Sequence, residues 1–282
     1  MDSAGDIGFV GLAVSLVLVV VAFAISLRLR LRLERALVVS VTRGLVQLLI
    51  VGAALAIIID PDTPLVWSWL WVAGIGVLAA ATVKRRAPAV PGLFWIALAA
   101  NGVTGLVGFA VAFGLGIFPV RGTTLVPIAG MLIGNSMKSG IVVAERLVEA
   151  LSEQRAEVEA RLALGQPWNA ASRPILRGAL RTALSPQIEN TKALGIVFLP
   201  GAMTGLILAG VDPLYAVIVQ RALMYLILGG GATTAAVTAL GAVRRRFTSD
   251  HRLVALPRST RDGGGAAAMS LRPVRGRRLQ WA

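Results

Sequence analysis

The sequence predicts an all-α integral membrane protein, with about seven transmembrane helices and a cytoplasmic helix–turn–helix segment. Three observations lead there. Hydrophobic residues make up 56% of the 282 and charged residues only 15%, against about 25% charged in an ordinary soluble domain. Seven stretches each approach or exceed the ~20 apolar residues that a helix needs to cross a bilayer core; they run over 7–27, 36–59, 65–83, 90–118, 125–144, 193–210 and 214–243. The charge is also one-sided, with 24 of the 28 lysines and arginines in alternate connections and the tail.

Span one is preceded by Asp2 and Asp6 and by no basic residue, so it reads as a membrane helix rather than a cleaved signal peptide. Arg28, Arg30, Arg32 and Arg35 follow it. Span two carries Arg43 and Gln47 four apart on one face, a pair that suits either a structural hydrogen-bond network or a polar pathway. Span three begins with Trp67, Trp69 and Trp71, rings favoured at a membrane interface, and ends at Lys84-Arg85-Arg86. Spans four and seven exceed twenty residues, so they are expected to tilt or to break, with Gly105, Gly108 and Gly229–Gly231 as the places. Span five holds Asn135, Lys138 and the pair Gly130/Gly134; span six holds Pro200 and the pair Gly201/Gly205. Small residues at that spacing let helix backbones approach, and Pro200 should kink span six.

Residues 145–192 are polar and helix-rich. Leu147, Leu151, Val158 and Leu162 share a helical face over 145–164, Glu157 and Arg161 form an i,i+4 pair, and Gly165-Gln166-Pro167 stops the helix. A second helix is expected from about Ser172 to Ser185-Pro186. Arg173, Arg177 and Arg181 make its basic stripe; Ile175, Leu176, Ala179, Leu180 and Ala183 make its apolar side. The pair either docks a partner or lies on lipid headgroups. Basic connections stay cytoplasmic, which places 145–192 and the C-terminus inside and the N-terminus outside, in the cell's inner (plasma) membrane. The organisation expected is a transmembrane domain over 1–246, with 145–186 as cytoplasmic coupling helices, and a disordered basic tail over 247–282.

Composition also excludes. With no cysteine and one histidine, His251, thiolate metal sites, disulfides and Ser-His-Asp chemistry in the membrane are ruled out. No carboxylate falls inside any predicted span, so proton or sodium coupling through buried acids and a hard-cation cage have no residues to use. The run Gly134–Ser139 resembles the end of a phosphate-binding loop, but Leu132 and Met137 stand where glycines are required. No catalytic residue, bound cofactor, metal site or nucleic-acid partner is expected of this chain, and nothing marks it as an enzyme.

Several strings carry a resemblance. Arg43-Gly44-Leu45-Val46-Gln47 is followed by Val126-Pro127-Ile128-Ala129-Gly130-Met131 and Ile133-Gly134-Asn135-Ser136-Met137. Then come Glu159 with Gly165 six residues later, Arg181-Thr182-Ala183-Leu184-Ser185-Pro186, and Leu199-Pro200-Gly201 running into Met203-Thr204-Gly205. In this order and spacing they resemble the FetB family of ABC-transporter permeases over about residues 36–245. The resemblance implies a permease subunit for iron or another metal species. It implies pairing with a separate FetA-like P-loop ATPase that binds the ATP, and a complex with two copies of each. It implies that Glu159, Gly165, Arg173, Arg177 and Arg181 couple to that ATPase. Lys138 and Arg221 depart from the family pattern and favour an anionic or chelated substrate over a bare cation. The pathway residues expected are Arg43, Gln47, Asn135, Lys138 and Thr204, with Met131, Met137 and Met203 as soft side chains or as core filling. The alternative is a stand-alone secondary transporter or channel for a small anionic or chelated solute.

Overall fold

The computed structural model describes residues 9–30, 33–60, 62–195, 199–248 and 253. The expectations for the tail beyond them, and for His251, lie outside the described residues. Apart from one backbone bridge between Phe247 and Leu253, the described structure is helical. The chain forms two compact units: Met1–Trp69 with Arg121–Thr123, and Leu70–Val120 with Thr124–Ala282.

In the first unit, α1 (Phe9–Arg28) and α2 (Glu34–Ile58) are joined by a short turn. Ser26 is buried there: its Oγ donates to Glu34 Oε1 at 2.8 Å and accepts from Leu33 N–H at 3.2 Å. Arg30 takes a positive φ of 52°, which a non-glycine residue adopts at some cost. Glu34 at the start of α2 also suits the positive end of the helix dipole. None of α2's residues is buried within the unit.

The second unit contains the packed core. Most of α3 (Leu65–Arg86) belongs to it, with α4 (Leu93–Phe109), α5 (Gly122–Glu153), α6 (Arg155–Ala163), the single turn α7 (Trp168–Ala171), α8 (Arg173–Ala193), α9 (Gly201–Leu208) and α10 (Pro213–Arg244). Five described helices are long and apolar enough to cross a membrane: α2, α3, α4 with its π-helical extension Ala110–Gly114, α5 and α10. Within α1 a shorter apolar helix covers Leu16–Arg28.

Three expectations are corrected. The stretch 193–210 is not one membrane helix. The chain leaves α8 through an extended Leu194 and a left-handed Gly195 (φ 82°), and α9 begins after extended Pro200 and runs for eight residues. The helix expected to stop at Ser185-Pro186 continues through Pro186 to Ala193; among the described helices, neither it nor α9 is one of those long and apolar enough to cross a membrane. Finally, Gly105, Gly108 and Gly229–Gly231 do not break their helices. Proline and glycine cost helix stability in water, but a packed neighbour that fills the space they leave can hold the helix together.

The 32-residue α5 is about 48 Å long at 1.5 Å per residue, so its last three turns project beyond a ~30 Å hydrocarbon layer. Leu147 and Leu151 on that projection, Val158 on α6, Ala171, Ile175, Ala179 and Ala183 on α7 and α8, and Ala235, Ala239 and Val243 on α10 form one core. The expected apolar face over 145–164 is therefore real, although α5 and α6 share it and Gln154 separates them. After α6, Gly165 (φ 82°) accommodates the reversal; Gln166 N–H donates to Arg161 O at 3.1 Å and Gly165 N–H to Leu162 O at 2.9 Å. That double bond pattern satisfies the last carbonyls of the helix.

Arg246 locks the end of α10. It is 2% exposed, and its guanidinium donates to Ala89 O in the connection between α3 and α4. Desolvation pulls its pKa below the ordinary value.

Candidate translocation and coupling site

The polar residues of the second unit meet along α10. Its buried positions include Gln220, Gly230, Gly231, Thr234, Ala235, Thr238 and Ala239, mostly small groups that let neighbours come close. Thr234 shares a 2.6 Å hydrogen bond with Thr104 of α4, whose hydroxyl also lies 3.4 Å from Gly230 O. A Cβ at Gly230 would sit 2.4 Å from Leu132 Cδ1 and 2.9 Å from Ser136 Oγ, both on α5. A Cβ at Gly231 would sit 2.1 Å from Gln187 Oε1 and 2.6 Å from its Nε2. These two glycines are required by close approach, not by backbone angles.

Gln187 comes from α8. Its Nε2 donates to Asn135 O of α5 at 3.3 Å, so its side chain ties α8 to α5 and lies against α10. Among the described residues Ser136 Oγ, Gln187 Oε1, Thr238 Oγ1, Gln220 Oε1 and Asn101 Oδ1 are buried without a hydrogen-bond partner. A buried oxygen left unpaired costs about 1–3 kcal/mol. Of these, Ser136, Gln187 and Thr238 lie on α5, α8 and α10, whereas Asn101 on α4 donates through Nδ2 to Gly76 O on α3.

The residues expected to line a pathway distribute as follows. Asn135 Nδ2 donates to Met131 O at 2.8 Å, and Lys138 Nζ donates to Asn135 Oδ1 at 3.4 Å; the lysine is exposed and leans back one turn. Met137 packs into two of the hydrophobic clusters, beside Ala80, Val83 and Ala129 among others. Thr204 bonds its own helix, to Pro200 O and Gly201 O, and Met131 and Met203 are half-buried. Arg43 and Gln47 belong to the first unit and are exposed within it. A Cβ at Gly130, Gly134, Gly201 or Gly205 would meet nothing within 4 Å. Close helix packing inside the chain falls instead at Gly108, Gly230, Gly231 and Gly241.

On the coupling segment, Glu159 pairs with Arg155 at 2.7 Å and Glu157 with Arg161 at 2.6 Å, all on exposed or half-exposed side chains. Such pairs contribute about 0.3–0.5 kcal/mol each. Arg173, Arg177 and Arg181 are exposed in a row along α8, opposite its buried Ile175, Ala179 and Ala183. Gln187, half-buried, is the next position on that face, at the same spacing of four. The signal was in the sequence, but a chain break assumed at Pro186 hid it. Ser136, Thr104 and Thr234 gave no signal, because a hydroxyl in an apolar helix satisfies itself on its own backbone as readily as on a neighbour.

The comparisons with known proteins give the family. Residues 9–247 match the family model described as Uncharacterised protein family (UPF0014). The UPF0014 membrane protein YjkA of Bacillus subtilis is 31% identical over 220 residues, which cover 78% of this chain and 88% of that protein. The Probable iron export permease protein FetB of Escherichia coli is 32% identical over 221 residues, 78% of this chain and 85% of its own. Protein ALUMINUM SENSITIVE 3 of Arabidopsis thaliana is 33% identical over 234 residues, 82% and 84% of the two chains. No solved structure matches significantly. With spanning helices, the family model across both units and relatives covered over most of their length, the chain is a membrane protein of the UPF0014 family, to which the FetB permeases belong.

Proposed function

We propose that this chain is the transmembrane subunit of an ABC transporter that exports iron or another metal species, and that a separate P-loop ATPase binds and hydrolyses the ATP. The observation that carries the reading is the coupling segment: α6 and α8 share one core with the projecting end of α5 and with α10, so a force applied to them reaches two spanning helices without a flexible joint. The exposed row of Arg173, Arg177 and Arg181 and the capped turn at Gly165 offer the ATPase a rigid, basic contact. The relation to FetB, named an iron export permease, supports the substrate class. Two copies of this chain and two ATPase subunits complete the transporter, which sits in the plasma membrane with the N-terminus outside and 145–186 in the cytoplasm.

Copurification tests the docking. A P-loop subunit should be retained by the wild-type chain and lost with Gly165→Pro, because proline cannot adopt a φ of 82°, and with Arg177→Glu or Glu159→Lys. The native chain has no cysteine, so single substitutions report topology cleanly. Asp62→Cys should react with an impermeant reagent from outside and Arg155→Cys only from inside. Movement of iron into or out of vesicles containing this chain alone would replace the ABC reading with a stand-alone transporter.

A further inference from the structure

We propose that Gln187 is the plug of the translocation path, and that the docking helix moves it directly. The inference rests on the transporter reading above and adds a named gate to it. The side chain fills the space over Gly231, where even a single added carbon would lie 2.1 Å from its oxygen. Its amide holds Asn135 O of α5 at 3.3 Å. Asn135 and Gly231 both lie toward the middle of 32-residue helices, so the plug sits between the helices and away from their ends.

Behind the plug the seam is closed but poorly satisfied. Ser136 Oγ is fully buried and, like Gln187 Oε1 and Thr238 Oγ1, has no hydrogen-bond partner among the described residues. Separation of α8 from α10 would open these oxygens to water or a hydrated solute. The oxygens are neutral hydroxyls and amides, which suits a hydrated or chelated species better than a bare cation seeking carboxylates.

The same helix carries the handle. Arg173, Arg177 and Arg181 are exposed at one end of α8, and Gln187, half-buried with its Oε1 enclosed, lies toward the other, within one run from Arg173 to Ala193. Pro186, the residue before the plug, cannot bond back to Thr182 O, which gives α8 a compliant point where it meets the seam. Movement of the docked end therefore withdraws or reseats Gln187.

The absence of native cysteine supplies the test. Ser136→Cys places a nearly isosteric thiol behind the plug. In the wild-type background of the resting complex it should react slowly with a small water-soluble maleimide. Adding Gln187→Ala should raise the labelling rate about tenfold or more, as the open population grows, and Gly231→Ala should do the same by expelling the glutamine. Gln187→Leu, which fills the space without the amide, should keep the thiol protected. Copurification with the ATPase subunit reports that each variant is folded. In the complex, ATP with vanadate should also speed labelling, and Gly165→Pro should abolish that response. A thiol that stays protected in folded Gln187→Ala and Gly231→Ala variants, or that is already fast in the resting complex, overturns the plug. Absence of the nucleotide response alone, with the alanine effects intact, overturns the ABC reading and with it the drive through the docking helix, and leaves only Gln187's closing role.

Discussion

α2 and α10 are both apolar helices long enough to cross a bilayer, yet within its own unit α2 buries no residue and α10 buries eleven. Apolarity does not separate them, since in lipid a leucine gains little by turning inward. What separates them is side-chain size. α2 presents Leu45, Val46, Leu48, Leu49 and Ile50 outward; α10 turns Gly230, Gly231, Thr234, Ala235, Thr238 and Ala239 inward. Small residues let α4, α5 and α8 approach closely enough for dispersion contacts and for threonine hydroxyls to reach across. In this chain the small-residue stripe, rather than the hydropathy maximum, marks the core.

Glycine substitutions press on that contrast hardest. Gly230→Val should destabilise the protein by about 3 kcal/mol or more, since overpacking costs roughly 1–3 kcal/mol even where neighbours can shift and here Leu132 and Ser136 both block the new side chain. Gly52→Val in α2 meets nothing within 4 Å and should change stability by less than about 0.5 kcal/mol. Thermal unfolding followed by size-exclusion in detergent compares the two; equal losses would dissolve the distinction.

The arginines sharpen it next. Arg246→Ala removes a buried side chain and its bond to Ala89 O, which should cost about 2–3 kcal/mol, the range for a hydrogen bond from a charged group plus lost packing. Arg43→Ala in α2, exposed within its unit, should leave unfolding within about 0.5 kcal/mol of wild type while remaining a candidate for loss of transport. A stability loss at Arg43 equal to that at Arg246 would show that α2 is anchored by its polar face.

The smallest effect expected is at Thr104 and Thr234. Thr234→Val should cost about 1 kcal/mol, because it orphans the Thr104 hydroxyl. The double valine variant should recover most of that, and a double-mutant cycle reads the coupling, near 0.6 kcal/mol for an average bond between membrane helices. Additive losses would mean that each hydroxyl bonds its own backbone instead.

Much of this was legible before the structure. The buried row Leu147, Leu151, Val158 and the exposed row Arg173, Arg177, Arg181 follow from helical periodicity, and the left-handed Gly165 from its place before Gln166-Pro167. Other features were misread for one reason. Pro186 was taken as a helix end and Gly229–Gly231 as a place where span seven would tilt or break, because proline and glycine are helix breakers in water. Inside a packed bundle, neighbouring side chains fill the gaps and satisfy the freed groups, so the same residues become a compliant point and a contact surface.

The sequence by itself determined the medium, the helical class and the chemistry on offer: enough apolar length to span a bilayer, one-sided basic charge, no cysteine, and no carboxylate in the spans. These depend on composition and local period, which need no partner element. Only the tertiary structure decided which glycines are occupied by neighbours, that α8 continues through Pro186 to Ala193, and that Gln187 lies against Gly231 with Asn135 as its partner. Those facts join residues 44 and 52 positions apart, and nothing in a local pattern selects which of many small or polar residues will meet; only the joint packing of α5, α8 and α10 does.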